Sequence, residues 1–154
     1  MLVEAIPIIP GIRAIQVPVA RILQLRQRVL EVGELPGDLD KTTWHFAAFQ
    51  ESSGRLIGEP VSCVSYMLDE LMEEPAWRLN ALATDPQHRG HRIALRMLAQ
   101  TQSLVIEEHP TIRLFWCYAR EAAFTTYTKD GWKFVSDIML RRNRRYRQMT
   151  KRHV

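Results

Sequence analysis

Cysteine is scarce. Cys63 and Cys117 are the only two, far apart, each inside an apolar run that reads as a strand. There is no CxxC motif and no His/Cys cluster at metal-ligand spacing, which argues against a zinc module or a disulfide framework. They read as two buried thiols, with a catalytic Cys117 as the alternative. Long hydrophobic runs are also missing. The apolar stretch near the start is broken by Glu4, Pro7 and Pro10, so neither a transmembrane helix nor a signal peptide is read there, and the cytoplasm is the expected compartment. No internal repeat and no low-complexity linker divides the chain.

What is present fits one core. A length of 154 residues suits a single domain, expected over residues 1–154, and 46% hydrophobic with 25% charged residues is an ordinary globular balance. The net charge of +4 is uneven. Arg141, Arg142, Arg144, Arg145, Arg147, Lys151 and Arg152 crowd the last residues. Such a cluster binds nucleic acid or another polyanion, or forms the solvent face of terminal strands. Its strand-like alternation and few interleaved aromatics favour the second reading.

The periodicity alternates between strand and helix. Ile12 to Val17 reads as a strand. Pro18 suits a first helical turn, and Val19, Ile22, Leu23, Arg26, Val29 and Leu30 follow at helical spacing, with Gly33 as a C-cap signal. Trp44 to Phe49 and Leu56 to Met67 read as a hairpin around Ser52-Ser53-Gly54, with Gly58, Glu59 and Pro60 marking a bulge. Asp69 to Pro75 reads as an acidic loop. Trp77 to Ala83 is a strand, and a helix runs from about His91 to Glu107 on the stripe Ile93, Ala94, Met97, Leu98, Thr101, Leu104 and Val105. Arg113 to Tyr118 reads as a strand buried on both faces. A short helix from Glu121 to Lys129 stops at Gly131. Phe134 to Leu140 and Tyr146 to Thr150 close the chain as a hairpin around Arg142–Arg145. The expected fold is one α/β (α+β) domain. Its mixed, twisted sheet has six to seven strands, with about three to four helices and a parallel pair across the central helix.

Two segments carry chemistry. In Ala83-Thr84-Asp85-Pro86-Gln87-His88-Arg89-Gly90-His91-Arg92-Ile93-Ala94 a strand ends, a polar loop turns and a long helix begins. Unpaired N–H groups and the helix dipole suit such a loop to a phosphate. Gly90 permits close approach, and Arg89 and Arg92 add positive charge. An ordinary strand–loop–helix turn with solvated arginines is the other reading. In the second segment Tyr127 lies four residues before Gly131, on a short helix after the buried strand. A phenol there can protonate a leaving thiolate, or it can simply pack the helix on the sheet.

Together the two segments resemble the acetyl-CoA motif and the C-terminal motif of the GNAT superfamily of N-acetyltransferases. The family's loop pattern, Gln/Arg-x-x-Gly-x-Gly/Ala, is similar to Arg89-Gly90-His91-Arg92-Ile93-Ala94, except that Arg92 stands where the family usually has Gly. Ala122, Ala123, Tyr127, Gly131 and Trp132 match the second signature. Arg26 with Val29-Leu30, His45-Phe46 and Trp77-Arg78-Leu79 resemble one bacterial branch of the superfamily whose acceptors are undefined.

The resemblance implies acetyl transfer from acetyl-CoA, as co-substrate and without a metal, to a primary amine in a ternary complex. It implies that main-chain groups of Leu82, Ala83 and Thr84 bond the pantetheine arm within a V-shaped splay between two central parallel strands. It further implies that N–H groups of Arg89, Gly90, His91, Arg92, Ile93 and Ala94 hold the pyrophosphate, that a strand N–H near Leu82 polarises the thioester, and that Tyr127 protonates the thiolate. Asn80 stands where some relatives use a carboxylate. His45, Glu59, Glu73 and Glu74 are candidate bases by chemistry only; a structural or solvated role is the commoner fate of each. The expected partner is a small-molecule or peptide amine, with no nucleic acid and no membrane; a homodimer stays open. A GNAT-like module that holds coenzyme A without catalysis is the competing class.

Overall fold

Alternation along one strand decides the layering. In Trp44–Ser52 (β3), Phe46 and Ala48 join one buried cluster while Ala47 and Phe49 join another on the opposite face. The computed structural model describes residues 4–154 and shows a nine-stranded mixed sheet with three α-helices. The remaining elements are β1 (Ile6–Ile9), β2 (Ile12–Gln16), α1 (Leu23–Leu30), β4 (Arg55–Leu71), β5 (Glu74–Thr84), α2 (Ile93–Glu108), β6 (Leu114–Arg120), α3 (Phe124–Lys129), β7 (Lys133–Phe134), β8 (Met139–Arg141) and β9 (Arg144–Arg152). The sheet order is β1-β2-β3-β4-β5-β6-β9-β7, with β8 on β9. The larger cluster packs Ile93, Met97, Leu98 and Val105 of α2 and Tyr127 of α3 against Phe46, Trp77, Phe115 and Cys117. On the other face, Ile22 and Leu25 cover Ala47, Phe49, Cys63 and Ala83.

The strand count exceeds the expected six to seven for two reasons. The proline-broken start pairs with β2 as β1, where Pro7 is tolerated because the strand is at the sheet edge. The run Phe134 to Leu140 is split into β7 and β8, because the Gln148 N–H donates to Ser136 Oγ at 2.8 Å and Arg147 Nε to the Ser136 carbonyl at 2.9 Å. β9 then lies between β6 and β7 instead of ending the sheet as half of a simple hairpin.

Three further boundaries differ from the sequence reading. Glu31, not Gly33, caps α1 in the left-handed region at φ 59°. The acidic stretch is a hairpin, with β4 and β5 paired through Asp69–Ala76 to Leu71–Glu74 and positive φ at Met72 and Glu73. The region Val19 to Leu30 opens with one 3₁₀ turn, Val19–Arg21, before α1. The long β3–β4 hairpin and the register shift around Gly58 to Pro60 are as expected.

A buried polar knot fastens α1 and the segment after it to the sheet. Arg26, fully buried, donates to both Asp38 oxygens at 2.7 and 3.0 Å and to Ser65 Oγ at 2.9 Å. Ser65 Oγ meets His45 Nδ1 at 2.7 Å, and His45 Nε2 donates to the Asp38 carbonyl at 2.8 Å. This arrangement fixes the tautomer, with the proton on Nε2. Nearby, Gly37 has φ +89°, a conformation strained for any residue with a Cβ, and an added Cβ would also displace the Met67 side chain.

Candidate active site at the gap between two parallel strands

β5 and β6 are parallel, and they pair only at Trp77–Phe115 and Arg78–Trp116. Beyond that point they part. The cause lies in β5, where Ala81 takes φ 58° and the register with β4 shifts between Cys63 and Ser65. An extra residue on one strand adds local twist and bends it away from its neighbour. The carbonyl and N–H groups of Asn80 to Thr84 on the β6 side are thereby freed for another partner.

A cleft of about 1170 Å³ opens at this end of the sheet. Leu82, Ala83, Thr84, Arg89, Gly90, Arg92, Ile93 and Ala94, all singled out from the sequence, line it. His91 does not; its side chain is exposed and outside the lining. Helix α2 begins at the cleft without a side-chain cap, and its first backbone bond is Arg96 N–H to the Arg92 carbonyl at 3.0 Å. The N–H groups of Ile93, Ala94 and Leu95 thus have no helical partner and face a region of positive dipole. Arg92 adopts φ 62° and ψ 22°, the left-handed conformation that glycine adopts most readily. The position where the GNAT pattern has glycine therefore keeps the glycine conformation with an arginine side chain.

Tyr127 lines an adjoining cavity of about 140 Å³ together with Asn80, Ala81 and Leu82 of β5. Leu82, Arg120 and Ala123 border both spaces. The tyrosine is 4% exposed. Burial, with the Cys117 thiol beside it, raises its phenol well above the ordinary tyrosine value, so it stays protonated. Cys117 is itself buried, and burial pushes its thiol up to about 12. It is a protonated neighbour of Tyr127 and not a thiolate nucleophile.

None of the bases proposed by chemistry lines either space. His45 is buried with both ring nitrogens engaged, Glu59 and Glu73 are exposed, and Glu74 is held by Arg152 at 2.6 Å. Sequence reasoning missed Arg120, Lys129, Asn143, Arg144 and Arg145, which line the cleft. The basic run near the end was visible, but the β8–β9 turn that delivers Asn143 to Arg145 to the cleft follows from tertiary pairing. Among the described residues no group of His, Cys, Asp and Glu suits a metal, and no helix is long and apolar enough to cross a membrane.

No family model and no curated protein matches the sequence. Solved structures do match. The crystal structure of Escherichia coli ElaA aligns with TM-score 0.73 at 13% identity, over 91% of this chain and 99% of that one. An acetyltransferase of the GNAT family from Streptococcus pneumoniae aligns with TM-score 0.65 at 11% identity, over 92% of this chain and 99% of that one. The chain has the GNAT fold. The NatC complex bound to Gag peptide and coenzyme A also aligns, with TM-score 0.71 at 16% identity, over 94% of this chain and 99% of its own. Within the GNAT fold, the parted strands, the uncapped start of α2 and Tyr127 meet at one end of the sheet.

Proposed function

We propose that this protein is an acyltransferase that moves an acetyl group from acetyl-CoA to a primary amine by direct transfer in a ternary complex. One observation carries the reading. The cleft at the uncapped N-terminus of α2 adjoins the cavity of Tyr127 through Leu82, Arg120 and Ala123, at the gap between the parallel strands. A phosphate-binding end and a buried proton donor are joined by free strand edge. The GNAT fold and its coenzyme A-bound relative support the same donor.

In this reading the N–H groups at residues 89–94, with Arg89 and Arg92, hold the pyrophosphate. Leu82, Ala83 and Thr84 bond the pantetheine arm as an added strand. An N–H near Leu82 polarises the thioester carbonyl, and Tyr127 returns a proton to the departing thiolate.

Millimolar acetyl-CoA should raise the melting temperature, and an amine panel should release coenzyme A. Arg89→Glu should weaken acetyl-CoA binding by placing a carboxylate beside the pyrophosphate. Binding without turnover across the panel would make the protein a coenzyme A-holding module; no thermal shift at all would remove the donor assignment.

A further inference from the structure

The sheet face opposite α2 and α3 holds an unneutralised basic wall. On β5, Arg78 and Asn80 alternate with the core residues Trp77 and Leu79; on β6, Tyr118 and Arg120 alternate with Cys117 and Ala119. All four line the cavity that Tyr127 reaches from the other face. The Arg78 guanidinium lies over Trp116 at 4.9 Å and Tyr118 at 5.4 Å, and that of Arg141 over Tyr118 at 5.2 Å. Arg78 Nε is buried with no hydrogen-bond partner. Among the described residues, Arg78, Arg120 and Arg141 form no ion pair, and no Asp or Glu lines this cavity. Other arginines nearby are already matched, Arg144 with Glu31 and Arg145 with Glu121. The acidic β4–β5 turn does not neutralise this wall: Glu74 opens β5, six residues before Asn80, about 20 Å away along an extended strand.

The half-buried Arg78 guanidinium, stacked on two aromatic rings and lacking a counter-charge, is pre-organised to grip an incoming anion as a fork, and the half-buried Arg120, also unpaired, lines the same cavity. The same wall repels a second positive charge on a substrate. Resting on the acetyl-transfer reading, we propose that the acceptor is an amine carrying an anionic group, a carboxylate or a phosphate, held by Arg78 and Arg120. Its neutral amine attacks the thioester carbonyl at the gap. The C–N bond forms, the C–S bond breaks, and the thiolate takes the Tyr127 proton. The amine's own proton leaves to solvent and Tyr127 is reprotonated from it. The net change is ammonium plus acetyl-CoA to amide, coenzyme A and one proton.

Matched acceptors test this: β-alanine against β-alaninamide, and O-phosphoethanolamine against ethanolamine. The anionic member of at least one pair should show kcat/KM about tenfold or more above its neutral twin, chiefly through KM, as expected for one charge-assisted contact. Preference within the first pair identifies a carboxylate, within the second a phosphate. Arg78→Met keeps the stem on the rings and should abolish most of the preference, while the melting shift with acetyl-CoA stays unchanged. Arg78→Lys should restore part of it. If acetyl-CoA binds but none of the four amines is acetylated, calorimetry of their N-acetyl products with coenzyme A decides, and tighter binding of an anionic product sustains the inference. Equal or better use of the neutral members, or no such tighter binding, overturns it alone. Absence of any acetyl-CoA shift overturns the acetyl-transfer reading beneath it.

Discussion

Tyr127 and Trp132 hold each other in place. Their rings meet edge to face with centroids 5.1 Å apart and planes at 68°, and the Trp132 N–H donates to the Tyr127 carbonyl at 3.0 Å. Trp132 is anchored in turn by its indole N–H on Asp130 at 2.9 Å. The phenol ring is therefore positioned by packing as well as by any bond its hydroxyl makes.

Tyr127→Phe should keep that packing and remove only the proton donor. The melting temperature should change little while turnover falls by about ten- to a thousandfold, the range of general acid catalysis with partial rescue by water. Affinity for acetyl-CoA should move less than kcat, because the lost interaction strengthens in the transition state. Steady-state kinetics beside a thermal melt checks both. Unchanged turnover in a stable variant would reduce Tyr127 to a packing residue.

Arg92→Gly should separate backbone strain from charge. A non-glycine residue at φ 62° pays about 1–2 kcal/mol, part of which glycine gives back as unfolded-chain entropy. The expected net gain is about 0.5–1 kcal/mol, or roughly 1–4 °C in melting temperature. Acetyl-CoA affinity should fall at the same time if the guanidinium meets a phosphate. A lower melting temperature would show that the Arg92 side chain stabilises the loop by more than its backbone costs.

The Arg26–Asp38–His45 knot predicts a pH dependence. Burial lowers His45 below its ordinary 6.5, with the Arg26 charge adding to the effect against the Asp38 carbonyl and charge. The unfolded chain takes up that proton first, so stability present above pH 6.5 declines as pH falls below it. Burial works to raise Asp38, yet the Arg26 hydrogen bond, the Leu35 N–H and the neighbouring charges hold it below its ordinary 3.8. A second loss follows below pH 3.8 as Asp38 takes a proton. His45→Gln should flatten the first decline in denaturant titrations, leaving the part due to His153, also lowered by burial. Asp38→Ala should cost about 3–5 kcal/mol at neutral pH, because Arg26 is left buried and unpaired. A flat profile from pH 7 to 5 in the parent would contradict the account of His45.

Deleting residues from Arg144 onward should abolish folding. β9 pairs with β6 from Leu114–Arg152 to Arg120–Tyr146, and Met149 is fully buried. Removing it exposes a central strand as an open edge and empties a core position. Circular dichroism of the truncated chain checks this. A well-folded, active truncation would make the basic segment a dispensable tail.

The legible parts of this protein are those set by neighbours in sequence. The 3.6 period of Ile93, Met97, Leu98 and Val105 marks α2, and the two-sided apolar run of β6 marks a central strand, because each pattern follows from which face must leave water. The polar loop before α2 carries its proposed pyrophosphate role in its own residues, and Tyr127 with Gly131 and Trp132 carries the proposed proton donor's motif. Local pattern did not reveal the split of Phe134 to Leu140, since its cause is Ser136 bonding to residues eleven and twelve positions later. Neither did it reveal Arg78, Tyr118 and Arg120 as one wall. Those three come from two strands joined by α2, and strand parity and register alone put them on one face. Short-range pattern sets the helices and the central strands, because each follows from which face must leave water. Which side chains meet depends on long-range pairing, because a bulge at Ala81 parts β5 from β6, and the resulting gap brings groups distant in the chain to one cavity.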